Sequence, residues 1–252
     1  MIQIGSKFRL ITNTPVAVES PDHKYPFGVK ENNNHSQGFT DKLHELYPRP
    51  LSLLDLGTAG GHNIWQHNLQ GDNAVGLEGS DYRKVRGLPE WNIESNLFTC
   101  DVTKSFQLQD NIDGEWKDSL LDVITAWELI EHIHKNDLEQ FYTNVREKLK
   151  PNGAFIVSIC VFDDEKATKT RGVEWGPSDE FPDGNMKSGP WRDQPLFYHQ
   201  YICSREDRYK EVEEHGFKIN WEKLAHFEGQ FVRGPGIGCS FEDTINLYME
   251  LL

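Results

Sequence analysis

A chain of 252 residues, 37% hydrophobic and 12% aromatic, is long enough for one large α/β domain with a sizeable core, and too apolar to stay unfolded. Forty acidic residues against 26 basic ones leave a net charge of −14, which provides no overall field for a phosphate backbone and disfavours nucleic acid as a partner. Four scattered cysteines, Cys100, Cys160, Cys203 and Cys239, form no CxxC pair and predict reduced thiols in a cytoplasmic protein, with neither zinc cluster nor disulfide framework. No apolar run approaches the ~18 residues of a membrane span, and "MIQIGSKFRL" has no apolar core of a secretion signal, so neither a membrane nor export is expected.

In chain order, residues 1–38 are polar and turn-rich and read as an N-terminal arm or flap. "FTDKLHELYP" puts Phe39, Leu43, Leu46 and Tyr47 on one helical face and ends at Pro48 and Pro50. The apolar strand "LSLLDL" follows, then a glycine turn and the helix "GHNIWQHNLQ". "NAVGLEG" and "NLFTCDV" are two further short strands ending in Glu78 and Asp101. "LLDVITAWELI" is a longer strand running into the helical "EHIHKNDLEQFYTNVREKLK", and "GAFIVSICVF" is a fifth strand after the turn "KPNG". Residues 163–197, rich in Gly, Pro, Asp and Lys and carrying Trp175 and Trp191, read as an inserted lid or substrate wall. "SREDRYKEVEEHGF" is a helix starting at Ser204 and stopped by Gly216, while "KINWEKL" and "TINLYMEL" are two closing strands. Strands alternating with helices mean βαβ units and a mostly parallel sheet with both faces covered.

Three successive strands end in an acid, Asp55, Glu78 and Asp101, and ligands of open parallel sheets bind beyond the carboxyl ends of the strands. The turn after the first strand is neither GxGxxG nor a P-loop, because from Gly57 it reads G-T-A-G-G-H and no GK[ST] follows. It fits D-x-G-x-G-x-G with Asp55, Gly57, Ala59 and Gly61, Ala59 standing where the middle glycine would be. With "VGLEGSD", "FTCDVTK", "LDVITAWELIEHIH", "LKPNGAFIVSI" and "HQYICSREDRYKEVEEHGF" following in register, residues 50–252 resemble the class I S-adenosylmethionine-dependent methyltransferases with an LEH-type motif.

That resemblance implies a Rossmann-like, seven-stranded, mostly parallel sheet with helices on both faces and the last strand antiparallel, spanning residues 39–252. It implies S-adenosylmethionine as cofactor. Its amino-acid end would lie against Asp55, Gly57, Thr58, Ala59 and Gly61; Glu78 and Gly79 would meet the ribose; Asp101, Val102 and Trp127 would flank the adenine side. Glycines permit the close approach, and helix-start N–H groups suit a carboxylate.

Methyl transfer to a hydroxyl needs alignment and, where required, a base. On a helix starting near Trp127, Glu128, Glu131 and His132 fall at i, i+3 and i+4 on one face. This set reads either as ligands of a divalent cation, completed by His134 or a distant histidine, or as a metal-free element in which Glu131 holds the loop and His132 borders the substrate; the metal is not favoured. His199 in "FYHQYICSRED" is a second candidate base, with Tyr198 and Tyr201 beside it to stack on a ring. The His- and Asn-rich arm suits a hydroxyl-bearing acceptor, so the expected activity is O-methylation of a small molecule or saccharide. The rivals are a metal-dependent RNA 2′-O-methyltransferase, against which the −14 charge counts, and a non-catalytic cofactor-binding protein of the same fold.

Overall fold

The computed structural model describes residues 1–24, 26, 35–87, 89–161, 200–201, 203–231 and 244–252. Two sheets organise them. The main sheet contains β3 (Ser52–Leu56), β4 (Asn73–Glu78), β5 (Leu97–Thr99), β8 (Leu121–Trp127), β9 (Leu149–Cys160), β10 (Phe217–Ile219) and β11 (Thr244–Leu251), in the spatial order β10-β11-β9-β8-β3-β4-β5. Pairing is parallel from β9 through β8, β3 and β4 to β5, whereas β11 runs antiparallel to both β9 and β10. The expected seven-stranded sheet with an antiparallel last strand is therefore present.

Alternation along each strand divides two cores. Leu54, Leu56, Val75, Leu77, Ile124, Phe155, Val157 and Leu247 point to one face, where Phe141, Tyr142 and Val145 of α6 (Leu138–Lys148) and Val212 of α7 (Arg205–Glu214) cover them. Leu51, Leu53, Ala74, Val123, Ile156 and Tyr248 point to the other. That face is covered by Phe39 and Leu43 of α2 (Gln37–Leu46), Ile64 of α3 (His62–Leu69) and Phe227, which follows α8 (Trp221–His226). Caps set the helix starts: Ser36 accepts from Phe39 N and Ser204 from Asp207 N.

The second sheet is a departure from expectation. β1 (Ile2–Ile4), β2 (Phe8–Thr12), β6 (Phe106–Ile112) and β7 (Glu115–Asp118) form a four-stranded antiparallel sheet in that order. The N-terminal segment is thus not all arm: its first residues are strands, and Phe8 and Leu10 join Phe106 and Leu108 in the core of the α6 face. The hairpin turns at Asp113 and Gly114, both at positive φ (+54° and +87°), the backbone hand that matches the twist of the flanking strands.

Three further corrections are local. "WEKL" is helical, because the Asn220 side chain accepts from Lys223 N at 3.0 Å and starts α8 where a strand was expected to continue. No helix starts near Trp127; β8 ends there, and a 3₁₀ turn at Ile130–His132 and another at Lys135–Asp137 precede α6. Cys160 is disulfide-bonded, against the expectation of four reduced thiols, while Cys100 and Cys203 are free and buried. Among the described residues no helix is long and apolar enough to cross a membrane. The expected lid at 163–197 lies outside the described residues.

Candidate active site

The carboxyl ends of β3, β4, β5 and β8 bring most of the sequence-derived candidates together. β3 delivers Asp55, fully buried, whose Oδ1 accepts from Thr125 Oγ1 of β8 at 2.7 Å and whose Oδ2 lies 3.5 Å from Asn63 Nδ2 of α3. Burial pushes this carboxyl up to about 6, against the pull of those hydrogen bonds. Asn63 in turn meets His35, its Oδ1 3.2 Å from the ring Nδ1.

The glycine turn follows immediately. Gly57, Ala59 and Gly61 all have positive φ, +71°, +45° and +80°. Gly61 is the N-cap of α3, and a Cβ there would lie 2.4 Å from Leu97 Cδ1, so glycine is required both by backbone hand and by space. Ala59 takes the left-handed conformation that the missing glycine would have taken freely. It is held there from both sides: its N–H donates to Glu78 Oε2 at 2.8 Å, and its carbonyl accepts from Trp91 Nε1 at 3.0 Å. Thr58 is buried between Gly57 and Ala59.

Glu78 ends β4, 5% exposed, with Oε2 on Ala59 N and Oε1 accepting from Ser80 N at 3.0 Å. Burial, set against the Ser80 N–H and reinforced by the charge of Asp22, pushes Glu78 up to about 7. Gly79 passes close to the N-terminal segment: its carbonyl accepts from Ala17 N at 2.8 Å, and an added Cβ would lie 3.2 Å from Ala17 Cβ. Asp101, half-buried after β5, uses Oδ1 on its own turn, accepting from Thr103 N at 3.0 Å and Thr103 Oγ1 at 2.6 Å. The following Val102 is buried, its carbonyl accepting from Asn144 Nδ2 of α6. Trp127 closes β8, its ring edge-on to Phe39 at 5.1 Å, and its buried Nε1 has no hydrogen-bond partner among the described residues.

Beyond Trp127 the backbone turns sharply. Glu128 has φ +49°, fixed by its N–H donating to Ser158 O at 3.0 Å and Ser158 Oγ at 3.1 Å. Its carboxyl faces that of Glu131; burial first, and then the like charge, push Glu128 up to about 9. Glu131 is fully buried, with Oε1 accepting from Cys160 N at 3.2 Å and its carbonyl accepting from Gln200 N and Tyr201 N. His132 Nδ1 lies 2.8 Å from Asp22 Oδ2. Burial alone would lower this imidazole, but the Asp22 carboxylate, backed by Glu131 and Glu128, pushes it up to about 9.

Glu128, Glu131 and His132 do meet, though not on a helical face, and they are not arranged as divalent-cation ligands, the less favoured of the two readings. Among the described residues no group of three or more His, Cys, Asp or Glu is arranged to hold a metal ion. Glu131 faces the β9 backbone and His132 faces Asp22, so the donors do not converge. His134, offered as a fourth ligand, caps the turn at Lys135–Asp137 by accepting from Asn136 N. His199 and Tyr198 lie outside the described residues. Tyr201 is packed against the α6 core, with the Arg208 guanidinium 5.0 Å and the Lys135 ammonium 5.4 Å from its ring centre. Asp22 is the site residue that sequence reasoning missed; "SPDHK" carries a cap signal at Ser20, but nothing local says where the turn docks.

Residues 32–220 match the family described as "Methyltransferase domain". Among curated proteins, it is 28% identical over 142 residues to the ubiquinone biosynthesis O-methyltransferase of Rickettsia prowazekii, covering 52% of this chain and 50% of that protein. It is 29% identical over 123 residues to the enzyme of the same name from Rickettsia typhi, covering 46% and 44%. The chain thus spans about half the length of the curated relatives it matches. Among solved structures, the PH0226 protein of Pyrococcus horikoshii superposes with a TM-score of 0.51 at 14% identity, covering 96% of this chain and 97% of that one. A TehB-like SAM-dependent methyltransferase of Corynebacterium glutamicum gives 0.49 at 12% identity, covering 90% and 93%. By the match over residues 32–220, the chain belongs to the methyltransferase-domain family.

Proposed function

We propose that the protein is an S-adenosylmethionine-dependent O-methyltransferase acting on a small hydroxyl compound. The observation that carries the cofactor assignment is Glu78: a buried strand-end carboxylate with each oxygen already on a backbone N–H, one of them from the glycine turn. Such a group is fixed in place and retains acceptor lone pairs for a ribose diol. The glycine turn beside it lets main chain approach a ligand's amino-acid end, and Trp127 Nε1 is a buried donor with no hydrogen-bond partner among the described residues. These residues fit the cofactor.

Glu78 and the glycine turn Gly57–Gly61 would hold S-adenosylmethionine, which would supply an electrophilic methyl group to an acceptor oxygen. The chain's own tasks are alignment and proton removal. His132, in its deprotonated form, which predominates above a raised midpoint of about 9, takes the acceptor's proton, and Glu131 holds the turn that carries it through its bond to Cys160 N. His199 keeps its place as a second candidate base. Hydroxyl as the acceptor class is favoured by the ubiquinone biosynthesis O-methyltransferases that the chain resembles over half their length. A saccharide acceptor rests only on the His- and Asn-rich composition of residues 1–38.

Calorimetry with S-adenosylhomocysteine, wild type against Glu78→Ala, tests the cofactor assignment. Binding by the wild type and a loss of about tenfold to a hundredfold in the variant is expected, the size of a charge-assisted hydrogen bond removed. A wild type that does not bind overturns the proposal. A panel of catechols and sugars, read by S-adenosylhomocysteine release, then identifies the acceptor class.

A further inference from the structure

Resting on the reading of His132 as the base, we infer that Asp22, delivered by the N-terminal segment, is a positioning residue that holds the His132 ring with Nδ1 protonated and Nε2 as the reactive nitrogen. The two residues are 110 positions apart and belong to different parts of the fold, yet Asp22 Oδ2 lies 2.8 Å from Nδ1, with 18% and 11% of the two side chains exposed.

The segment is built to bring the carboxylate there. Asp101 N donates to Thr14 O at 2.9 Å and Ala17 N donates to Gly79 O at 2.8 Å, so the chain crosses the carboxyl ends of β5 and β4 in succession. The single turn α1 (Pro21–Lys24) follows; the Ser20 hydroxyl accepts from Asp22 N at 3.2 Å, and the Ser20 carbonyl accepts from the amides of His23 and Lys24. His23 Nδ1 lies 3.6 Å from Asp81 Oδ1 just beyond β4. Asp22 therefore sits between Glu78, whose ionisation it opposes, and His132.

Asp22 meets like charge from Glu78, so the carboxylate is not placed here for that neighbour's sake. What the position does offer is tautomer control. A carboxylate charge 2.8 Å from Nδ1 favours the proton on that nitrogen, so that above the raised midpoint Nε2 is left to take a proton from a substrate.

The test uses full-length protein labelled with ¹⁵N-histidine and saturated with S-adenosylhomocysteine, with the His132 ring nitrogens assigned by comparison with His132→Gln. Across pH 6–11 the wild type should titrate from the imidazolium, through a midpoint of about 9, to one neutral tautomer protonated at Nδ1. Asp22→Asn, which keeps an acceptor but loses the charge, should lower the His132 midpoint by more than one pH unit. Glu128 and Glu131, the other charged groups facing the ring, remain in every variant. Asp22→Ala should mix the tautomers, and Asp22→Glu should restore the wild-type signal. Unchanged His132 resonances in both Asn and Ala variants overturn the inference while leaving cofactor binding standing. Failure of the wild type to bind S-adenosylhomocysteine overturns the underlying reading instead.

Discussion

The Ala59 amide donates to Glu78 Oε2 at 2.8 Å, so the glycine turn after β3 and the acid ending β4 form one device and not two neighbouring ones. Whatever changes the charge on Glu78 changes the turn as well.

Affinity for S-adenosylhomocysteine should therefore depend on pH through Glu78. Burial raises this carboxyl to about 7 in the cofactor-free protein, while accepting a ribose diol requires the ionised form. Below about pH 7 binding must first expel a proton, so affinity should fall by about tenfold per pH unit toward pH 5.5 and level off above 7. Calorimetry across that range checks it, and Glu78→Gln, which cannot titrate, should give weaker binding with no such slope.

Two opposing effects of similar size meet at Ala59. Replacing it with glycine relieves left-handed strain of about 1 kcal/mol but removes a buried methyl worth about 0.8 kcal/mol. Ala59→Gly should therefore move the urea midpoint little, by less than about 0.5 kcal/mol. Ala59→Val, β-branched at φ +45°, should cost more than about 2 kcal/mol.

Gly61→Ala has no such compensation. The left-handed backbone costs about 1–2 kcal/mol, and the new methyl overlaps a Leu97 methyl at 2.4 Å, an overpacking cost of about 1–3 kcal/mol. A loss of about 2–5 kcal/mol in denaturant unfolding is expected. Leu97→Ala in the same chain should recover part of the overlap and none of the backbone strain.

Asp122, at the start of β8, should govern acid stability. Its carboxylate is pulled down to about 2, burial being outweighed by Arg49, Lys150 and the Ser52 N–H, all within 2.9 Å. A folded value below the unfolded ~3.9 contributes stability that is complete above about pH 4 and disappears as pH falls through 2. The stability gap between wild type and Asp122→Asn should be widest above pH 5 and close toward pH 2. A gap that stays constant over this interval would show that the carboxylate's charge is not what matters.

The main sheet was legible because its signals are local: apolar runs, acids at strand ends, a cap at Ser204, and stops at Pro48 and Gly216. The hairpin at 106–118 also carried a readable signal, since Asp113–Gly114 sits between alternating apolar residues, and its omission was a misreading of turn chemistry. β1 and β2 were harder, because "FRLIT" is short and becomes a strand by pairing with residues about 100 positions away. The i, i+3, i+4 spacing of Glu128, Glu131 and His132 correctly brought them together, but for the wrong reason. The backbone reverses at Glu128 and proceeds through a 3₁₀ turn, which no periodicity reports. Asp22 was illegible because docking of one segment on another is a tertiary fact.

Residues 13–24 of the N-terminal segment pass the carboxyl ends of β5 and β4, and the segment leaves and re-enters the fold at two fixed abutments. β2 is sewn to β6 on one side of the main sheet, and α2 is pinned by Phe39 and Leu43 on the other. Lengthening or rewriting a span whose ends are already anchored costs little, about 0.6 kcal/mol per doubling, and disturbs neither core. The strand ends are thus written into the fold and cannot be altered cheaply, whereas the span can be exchanged wherever Thr14, Ala17 and Asp22 keep their contacts. Divergence in what such a protein accepts would be sought first in residues 13–36, with β3 and β4 unchanged.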